Sequence, residues 1–512
     1  MTYSEFATTV QSATSLLKEH GIRDGQNVGI CFHLSPWAVV MILAIMSLGS
    51  AVVPVDPLHP LSRRMAMLKE AGAVGVIIED EHFAHDFAES GLPVIDISCA
   101  CFDPILAPTE HSSTGPRPYG DAFIPFTSGS TGKPKGIVQT HQALVTMSDA
   151  LATRLGVKSE SRVAQFHPYI FDVSIMEICM CLLRGATLCI SQKKDMMLPE
   201  PGEVSHQLTK SGITHVTLSP TMLNTMDPER TPTVEVLSVM GEPLGRGAVE
   251  KWASTPGRTF YQLWGCTEAT ILQSITDPIT IRSAGENIGR AINEVCRLWI
   301  VDPADVNTRM KDGEPGELVV QSRALAKAYL NRPAETAKSF LGFTDWSGST
   351  SDGSLYRTGD QARKDADGSI TFMGRLDGQM NYHGERIELG EIDFHLERRR
   401  PIAVKDCFSD FHASSQTVVG FVCGTLKEED LERHSDLLHR WDQTTLPKSD
   451  MAQLTQSLVN SGELPPYMVP RFWILIRHRP LTASGKTDRT AVRRMMEALS
   501  PAQWAEYSVD RA

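Results

Sequence analysis

Phe126–Gly136 reads FTSGSTGKPKG, eleven positions that hold four hydroxyl residues, three glycines, two lysines and a proline. Glycine lets a backbone approach a ligand, hydroxyls and bare N–H groups donate to anionic oxygen, and lysine adds positive charge, so the composition describes a phosphate cradle. It is not a P-loop. That motif needs four residues between its first glycine and the Gly-Lys pair, with Ser or Thr after the lysine, whereas two residues separate Gly129 from Gly132 and Pro134 follows Lys133. Proline there also argues against a helix that starts on the lysine. The apolar run Ala122–Phe126 reads as a strand. A glycine-rich loop directly after a strand carries more meaning than a surface turn of the same composition.

At 512 residues, the chain is long enough for a large core and for more than one domain. Its 41% hydrophobic and 21% charged residues are ordinary for a globular protein. A formal charge of −12 makes nucleic acid a poor partner, because binding to that backbone needs clustered Lys and Arg. No paired-cysteine zinc spacing, secretory signal or bilayer-length apolar run is visible, so no membrane is expected. Ala38–Leu48 is apolar but short, and Gly49 and Ser50 follow it, which predicts a core helix. The ten cysteines are scattered, with Cys179, Cys181 and Cys189 in apolar surroundings that suit buried thiols, and a reducing, cytoplasmic compartment is expected.

From Met1 to about Cys99, strand patterns at Asn27–Cys31, Ala51–Val55 and Val74–Ile78 alternate with helical patterns at Pro36–Met46 and Leu61–Ala71. Such alternation predicts parallel α/β layers. The rhythm continues through Val163–Phe166, Thr187–Ile190, His215–Leu218 and Val236–Met240, then changes after Ile288 to strands set among Gly, Asp and Pro turns. The expected fold is α/β: a large N-terminal domain, 1–376, of layered, mostly parallel sheets with helices plus a small β-rich unit, and a smaller α+β C-terminal domain, 377–512. In the latter, Thr417–Val422 and Phe472–Ile476 read as strands, Lys427–Trp441 and the stretch from Arg489 as helices, and the residues after Trp441 as a polar connection.

Seven motifs occur in order: FTSGSTGKPKG, WGCTEAT (Trp264–Thr270), YRTGD (Tyr356–Asp360), GRLDGQM (Gly374–Met380), GERIELGEI (Gly384–Ile392), LPPYMVP (Leu464–Pro470) and SGKTDR (Ser484–Arg489). Together they resemble the adenylate-forming superfamily and, within it, the amino-acid adenylation domains of nonribosomal peptide synthetases. The resemblance runs from TYSEF (Thr2–Phe6) to the last helix. It implies ATP and Mg2+ as cofactors, and a mobile C-terminal domain that pivots about Asp377. As partners it implies an amino-acid substrate, neighbouring synthetase domains, and a peptidyl carrier protein domain bearing phosphopantetheine.

Carried onto this chain, the resemblance assigns Thr127, Ser128, Ser130, Thr131 and Lys135 to the ATP phosphates, with Thr267 facing them. Glu268 matches the acid associated with the magnesium, a hard cation that suits a carboxylate beside phosphates. Gly241, Glu242 and Pro243 match the segment along the adenine edge. Trp264 stands where a tyrosine ring usually stacks on adenine, and Cys266 replaces the usual proline. Asp360 matches the carboxylate that accepts the ribose hydroxyls, and Arg375 the cation beside the same ligand. Lys486 matches the lysine that reaches the substrate carboxylate and α-phosphate, with Ser484 in place of the usual asparagine.

Asp172, in Phe171–Ser174, matches the aspartate that pairs with the substrate α-ammonium; a buried carboxylate selects a cationic amine because an unpaired buried charge is costly. The side-chain pocket implied by the motifs is Val173, Met176, Thr217, Ser238, Met240, Leu263, Ile271 and Leu272, with no charge among them, so a neutral substrate side chain is expected. WGCTEAT also resembles fungal synthetases, including makers of hydroxamate siderophores, which adds an acylated hydroxyornithine to the expected substrates. With no Leu-Gly-Gly-x-Ser carrier motif and no His-His condensation motif in the chain, the thiol partner is expected to be another domain or protein. Two alternatives stay open: an acyl- or aryl-CoA ligase, which has no amine to recognise, and an inactive nucleotide-binding scaffold.

Charge grows on the phosphoryl oxygens as a carboxylate attacks the α-phosphorus, so a fixed ammonium stabilises that transition state more than the ground state. Lys486→Ala is expected to slow adenylate formation on the order of 10²–10³-fold while ATP binding changes little. Pyrophosphate exchange measured beside ATP binding checks this, and a mutant with near-normal exchange would remove Lys486 from that role.

Overall fold

The computed structural model describes residues 1–88, 91–98, 119–128, 134–190, 203–242, 244–348, 353–376, 379–382, 385–401, 404–412, 415, 417–424, 448–476, 479–480 and 487–510. Contacts divide the chain into two compact units, one of Met1–Leu58, Arg64–Phe126 and Lys135–Asp377, the other of His59–Arg63, Thr127–Pro134 and Gly378–Ala512.

The first unit opens with the helix Tyr3–Glu19, started by a capping box in which Thr2 and Glu5 exchange backbone and side-chain hydrogen bonds. The helix Pro36–Ser47 follows the same logic, with Ser35 as its cap and proline in its first turn. Ala38–Ile42 and Ala44–Met46 are buried, so this apolar run is a core helix, and among the described residues no helix is long and apolar enough to cross a membrane.

Two sheets organise this unit. In one, Ala51–Val55, Asn27–Cys31, Val76–Ile78 and Val94–Asp96 run parallel side by side, and Asp121–Phe123 continues the sheet to the antiparallel strand Lys135–Thr140 and then Ala328–Tyr329. The run Ala122–Phe126 is not one strand: Asp121–Phe123 and Phe126–Thr127 are separate. Pro125 lies between them and has no N–H to continue a ladder.

The second sheet changes character part way across. Thr187–Ile190, Arg162–Gln165, His215–Leu218, Val236–Val239 and Thr259–Trp264 are neighbours and parallel. Beyond Trp264 the sheet continues antiparallel through Ser274–Ile275 and Asn287–Ala291 to Ile370–Arg375, Ser354–Lys364, Pro315–Ser322 and Cys296–Val301. The β-rich segment is therefore continuous with the parallel strands through one shared ladder. Thr217, Ser238, Met240 and Leu263 stand at or just past the carboxyl ends of three adjacent parallel strands, where ligands of open α/β sheets bind.

In the second unit, Val404–His412, Thr417–Gly424, Phe472–Ile476 and Ser508–Asp510 form a four-stranded sheet, with a hairpin of Gln379–Tyr382 and Glu385–Glu388 apart from it. Trp473 is fully buried, donates to Thr455, and lies so close to Gly420 that a Cβ there would sit 2.4 Å from its ring. The polar stretch after Trp441 contains the helix Lys448–Ser461, whose Met451, Leu454 and Leu458 supply a buried face. The helix expected over 427–441 lies outside the described residues.

Gly289 lies in the strand Asn287–Ala291, between Ser274–Ile275 and Ile370–Arg375, at φ +82°, where an added Cβ would meet Ile275 O at 2.1 Å and Thr276 N at 2.3 Å. Gly257 has a similar φ of +73° with nothing within 4 Å. Gly257→Ala is expected to cost about 1 kcal/mol through backbone strain alone. Gly289→Ala is expected to cost several times that, because backbone must move as well, and urea unfolding of the two variants side by side measures the difference.

Candidate active site

Asp172 opens the helix Asp172–Leu183, where the helix dipole favours an acid, and is only 6% exposed. Its Oδ2 accepts a hydrogen bond of 3.0 Å from Gln139 Nε2, and the same nitrogen donates to Thr267 O at 3.1 Å. Gln139 comes from the strand Lys135–Thr140 and is fully buried. Burial pushes the Asp172 carboxyl up to about 6; the Gln139 hydrogen bond opposes the rise and the neighbouring Glu268 charge adds to it.

Glu268 is fully buried on the short turn Thr267–Ala269. Tyr329 OH donates to its Oε1 at 2.9 Å and stands 3.2 Å from Tyr356 OH. Lys135 Nζ lies 5.0 Å from the centre of the Tyr329 ring. Asp172, Thr267, Glu268 and Lys135 are thus gathered by two residues, Gln139 and Tyr329, that belong to no motif quoted above. Their only signal in the sequence is a polar group inside an otherwise apolar strand and a tyrosine ahead of the Asn331-Arg332-Pro333 turn.

The loop that carries Glu268 is strained and stapled. Thr270 and Ile271 adopt φ of +62° and +82°, two of only three non-glycine residues with positive φ among those described. For a β-branched residue this is unfavourable and persists only where surroundings impose it. Gly265 permits the closure, since a Cβ there would lie 2.0 Å from Ile271 O. Gln273, fully buried, supplies the staple: its Oε1 accepts from Cys266 N at 2.9 Å, its Nε2 donates to Ala269 O at 2.9 Å, and its backbone N–H donates to Trp264 O at 2.9 Å. Sequence reasoning missed it because a glutamine after Ile271-Leu272 has no local signature.

Asp360 and Arg375 face each other across an antiparallel ladder, with Arg375 Nη1 donating to Asp360 Oδ1 at 2.6 Å and to Thr358 O at 2.7 Å. Glu242 Oε2 accepts from Thr221 N at 3.0 Å and from Thr221 Oγ1 at 2.6 Å, just after Gly241 at φ +84°. Trp264 ends its strand half-buried. Ser128 is buried, and Thr127 Oγ1 is buried with no hydrogen-bond partner among the described residues. Ser130, Thr131, Pro243, Asp377 and Lys486 lie outside the described residues. The residues flanking Lys486 are tied together within the second unit: Asp488 N donates to Pro480 O at 2.8 Å, Arg479 Nη1 to Thr487 Oγ1 at 3.1 Å and Arg489 Nη2 to Asp393 Oδ2 at 2.9 Å. Among the described residues, no group of three His, Cys, Asp or Glu is placed to hold a metal.

Of the pocket residues, Val173, Met176, Leu263, Ile271 and Leu272 fall in one buried apolar cluster with Met240 packed against it. Thr217 and Ser238 are cross-strand partners with hydroxyls 2.8 Å apart. They line a small cavity with Glu177 and His215. Glu177 is fully engaged: Gln165 Nε2 and the backbone N–H groups of Phe166 and His167 donate to Oε2, and His167 Nδ1 lies 2.7 Å from Oε1. Burial pushes this carboxyl above its usual range.

Comparison with known proteins matches residues 1–330 to the AMP-binding enzyme family. The nonribosomal peptide synthetase easA of Emericella nidulans is 31% identical over 523 aligned residues, covering 99% of this chain and 7% of that protein. The chain thus spans a small fraction of that relative's length. Among solved structures, o-succinylbenzoate CoA synthetase of Bacillus subtilis superposes with a TM-score of 0.77 at 18% identity, covering 96% of this chain and 93% of that one. A nonribosomal peptide synthetase protein containing adenylation and PCP domains, bound to a vinylsulfonamide inhibitor, superposes with a TM-score of 0.73 at 23% identity, covering 96% and 79%. At these identities the likeness is one of fold.

Gln273→Leu strips the staple from the Glu268 loop and removes its hydrogen bonds to Cys266 N and Ala269 O. The expected cost is about 1–3 kcal/mol for each of these two hydrogen bonds, measured by urea unfolding. A loss below the lower figure for the pair would show that the loop holds its shape without Gln273.

Proposed function

Because the chain belongs to the AMP-binding enzyme family, we propose that it activates an amino acid as its adenylate and delivers the acyl group to the phosphopantetheine thiol of a peptidyl carrier domain. The relative from Emericella nidulans and the adenylation–PCP structure support the synthetase setting. The observation that carries the amino-acid reading is Asp172: a buried carboxylate, held by neutral donors and paired with no Lys, Arg or His among the described residues, at the head of the pocket helix. Such a group gains most when a cation arrives, and the α-ammonium of an amino acid is that cation.

In the first half-reaction, a substrate carboxylate oxygen bonds to the α-phosphorus of ATP, the bond from that phosphorus to the bridging oxygen breaks, and pyrophosphate leaves with the electron pair. Lys135 and the hydroxyls of Thr127, Ser128, Ser130, Thr131 and Thr267 bind phosphate oxygens; Lys486 meets the charge that grows at the α-phosphate. Trp264 stacks on the adenine, which Gly241, Glu242 and Pro243 border, and Asp360, oriented by Arg375, accepts from the ribose. Glu268, a buried carboxylate, is the residue that would hold magnesium, a hard cation that suits a single carboxylate beside phosphates. When bound, the ion neutralises phosphate charge. In the second half-reaction, the thiol sulfur bonds to the carbonyl carbon, AMP leaves, and the thiol proton is lost. For the two half-reactions the chain works as a core, 1–376, and a smaller domain, 377–512, with Asp377 as the hinge between them. Val173, Met176, Thr217, Ser238, Met240, Leu263, Ile271 and Leu272 define the side-chain pocket.

Pyrophosphate exchange over a panel of amino acids and their des-amino analogues tests this. A neutral amino acid is expected to support exchange, its des-amino analogue to fail, and Asp172→Ala to weaken use of the amino acid and erode that discrimination. The pH profile follows from Asp172. Only the ionised carboxylate pairs with the ammonium, so kcat/KM for the amino acid falls about tenfold per unit as pH drops below about 6. Asp172→Asn loses this limb. Equal use of the des-amino acid by the wild-type protein would reject the amino-acid reading in favour of a CoA ligase.

A further inference from the structure

Gln139 matches no motif in the sequence, yet it connects the two segments on which the proposed chemistry depends. Its Nε2 donates to Asp172 Oδ2 at 3.0 Å and to Thr267 O at 3.1 Å. These two acceptors fix the orientation of the amide, because turning it over would set its oxygen against both. Its Oε1 is buried without a hydrogen-bond partner among the described residues. A buried acceptor without a donor is uncommon and asks for a ligand.

Geometry limits which ligand. The oxygen and nitrogen of an amide lie about 2.2 Å apart, so Gln139 Oε1 stands no more than about 5.2 Å from Asp172 Oδ2. One tetrahedral nitrogen that makes two ordinary hydrogen bonds bridges oxygens roughly 4.4–5.2 Å apart. A single donor nitrogen can therefore serve both. An ammonium carries three N–H groups and no acceptor, and it suits one charged oxygen beside one neutral oxygen better than a hydroxyl or an amide would.

We propose that Gln139 is a substrate-binding residue whose Oε1 accepts a hydrogen bond from the α-ammonium paired with Asp172, while its Nε2 ties that amine site to the backbone of Thr267. The inference rests on the amino-acid reading of Asp172. It makes one side chain common to the amine site and to the segment carrying Glu268, so a change at Gln139 alters amine recognition directly. The charged group facing Asp172 is Glu268, on the Thr267–Ala269 turn; Gln139, from the adjoining strand, and the Thr267 hydroxyl are neutral donors that favour the ionised acid.

The probe is the amino acid with the highest exchange rate in a proteinogenic panel, and the variants are Gln139→Met, Gln139→Glu and Asp172→Asn, each checked by thermal unfolding. Gln139→Met keeps the length and loses both hydrogen-bonding groups. Its amino-acid KM is expected to rise about ten- to a hundredfold, as for loss of a hydrogen bond to a charged group, with the ATP KM within about twofold of wild type. The acid limb of kcat/KM is expected to move to higher pH, because the donor that favours ionised Asp172 is gone. Gln139→Glu restores an oxygen for the amine, so its amino-acid KM lies nearer to wild type, while the second acid moves the limb higher still. An unchanged amino-acid KM in Gln139→Met, an equal rise in both KM values, or a Glu variant no better than Met would each overturn the inference. If Asp172→Asn kept the wild-type amino-acid KM and acid limb, the reading of Asp172 itself would fall, whatever Gln139 does.

Discussion

A carboxylate taken out of water has to be hydrogen-bonded, paired with a cation or protonated, and the first unit buries two of them near each other. Asp172 is held by Gln139 and Glu268 by Tyr329, and their mutual repulsion is part of what raises Asp172 toward neutrality. In a resting fold such an arrangement costs stability. It gains when positive charge arrives, and each acid then has its own counterpart in the proposed reaction: the ammonium for Asp172, magnesium for Glu268. The neutral donors around them are consistent with that division, since a resident lysine or arginine salt-bridged to Asp172 would compete with the amine.

Holding Glu268 in place requires a backbone that the chain does not adopt readily. Thr270 and Ile271 occupy positive φ, and Gly265 and Gln273 allow and secure the turn. The turn falls where the large sheet passes from parallel to antiparallel, between Thr259–Trp264 and Ser274–Ile275. Two features of different kinds thus coincide at one loop, local strain and a switch in sheet direction, and both place side chains at the carboxyl ends of the parallel strands.

Buried charge also shapes the second unit, with a different outcome. Asp410 is fully buried but accepts from Arg489 and Arg493, and Asp393 accepts from Arg489 and from Ser409. These acids are paired with resident cations and hold the helix Arg489–Glu497 against the strand Val404–His412 and the helix Leu389–Arg399. The contrast with Asp172 separates a structural carboxylate from one left for a ligand.

By itself, the sequence determined what depends on near neighbours along the chain. Apolar periodicity and caps mark the helix Pro36–Ser47 and the alternating strands of the first unit, because secondary structure follows local spacing. Motif order sufficed for the family, and the resemblance it carries singled out Asp172, Glu268 and Asp360. The break at Pro125 and the buried face of Lys448–Ser461 were readable in principle, from the missing N–H and the spacing of Met451, Leu454 and Leu458. Only the tertiary structure decided the partners. Gln139 meets Asp172 and Thr267 from 33 and 128 positions away, Tyr329 meets Glu268 from 61 away, and Arg375 meets Asp360 through an antiparallel register. Glu177 reaches the edge of the Thr217–Ser238 cavity in the same way. Hydrogen bonds between distant residues leave no periodic trace, because what selects them is the cost of burying a polar group unpaired, and that cost exists only once the chain has folded.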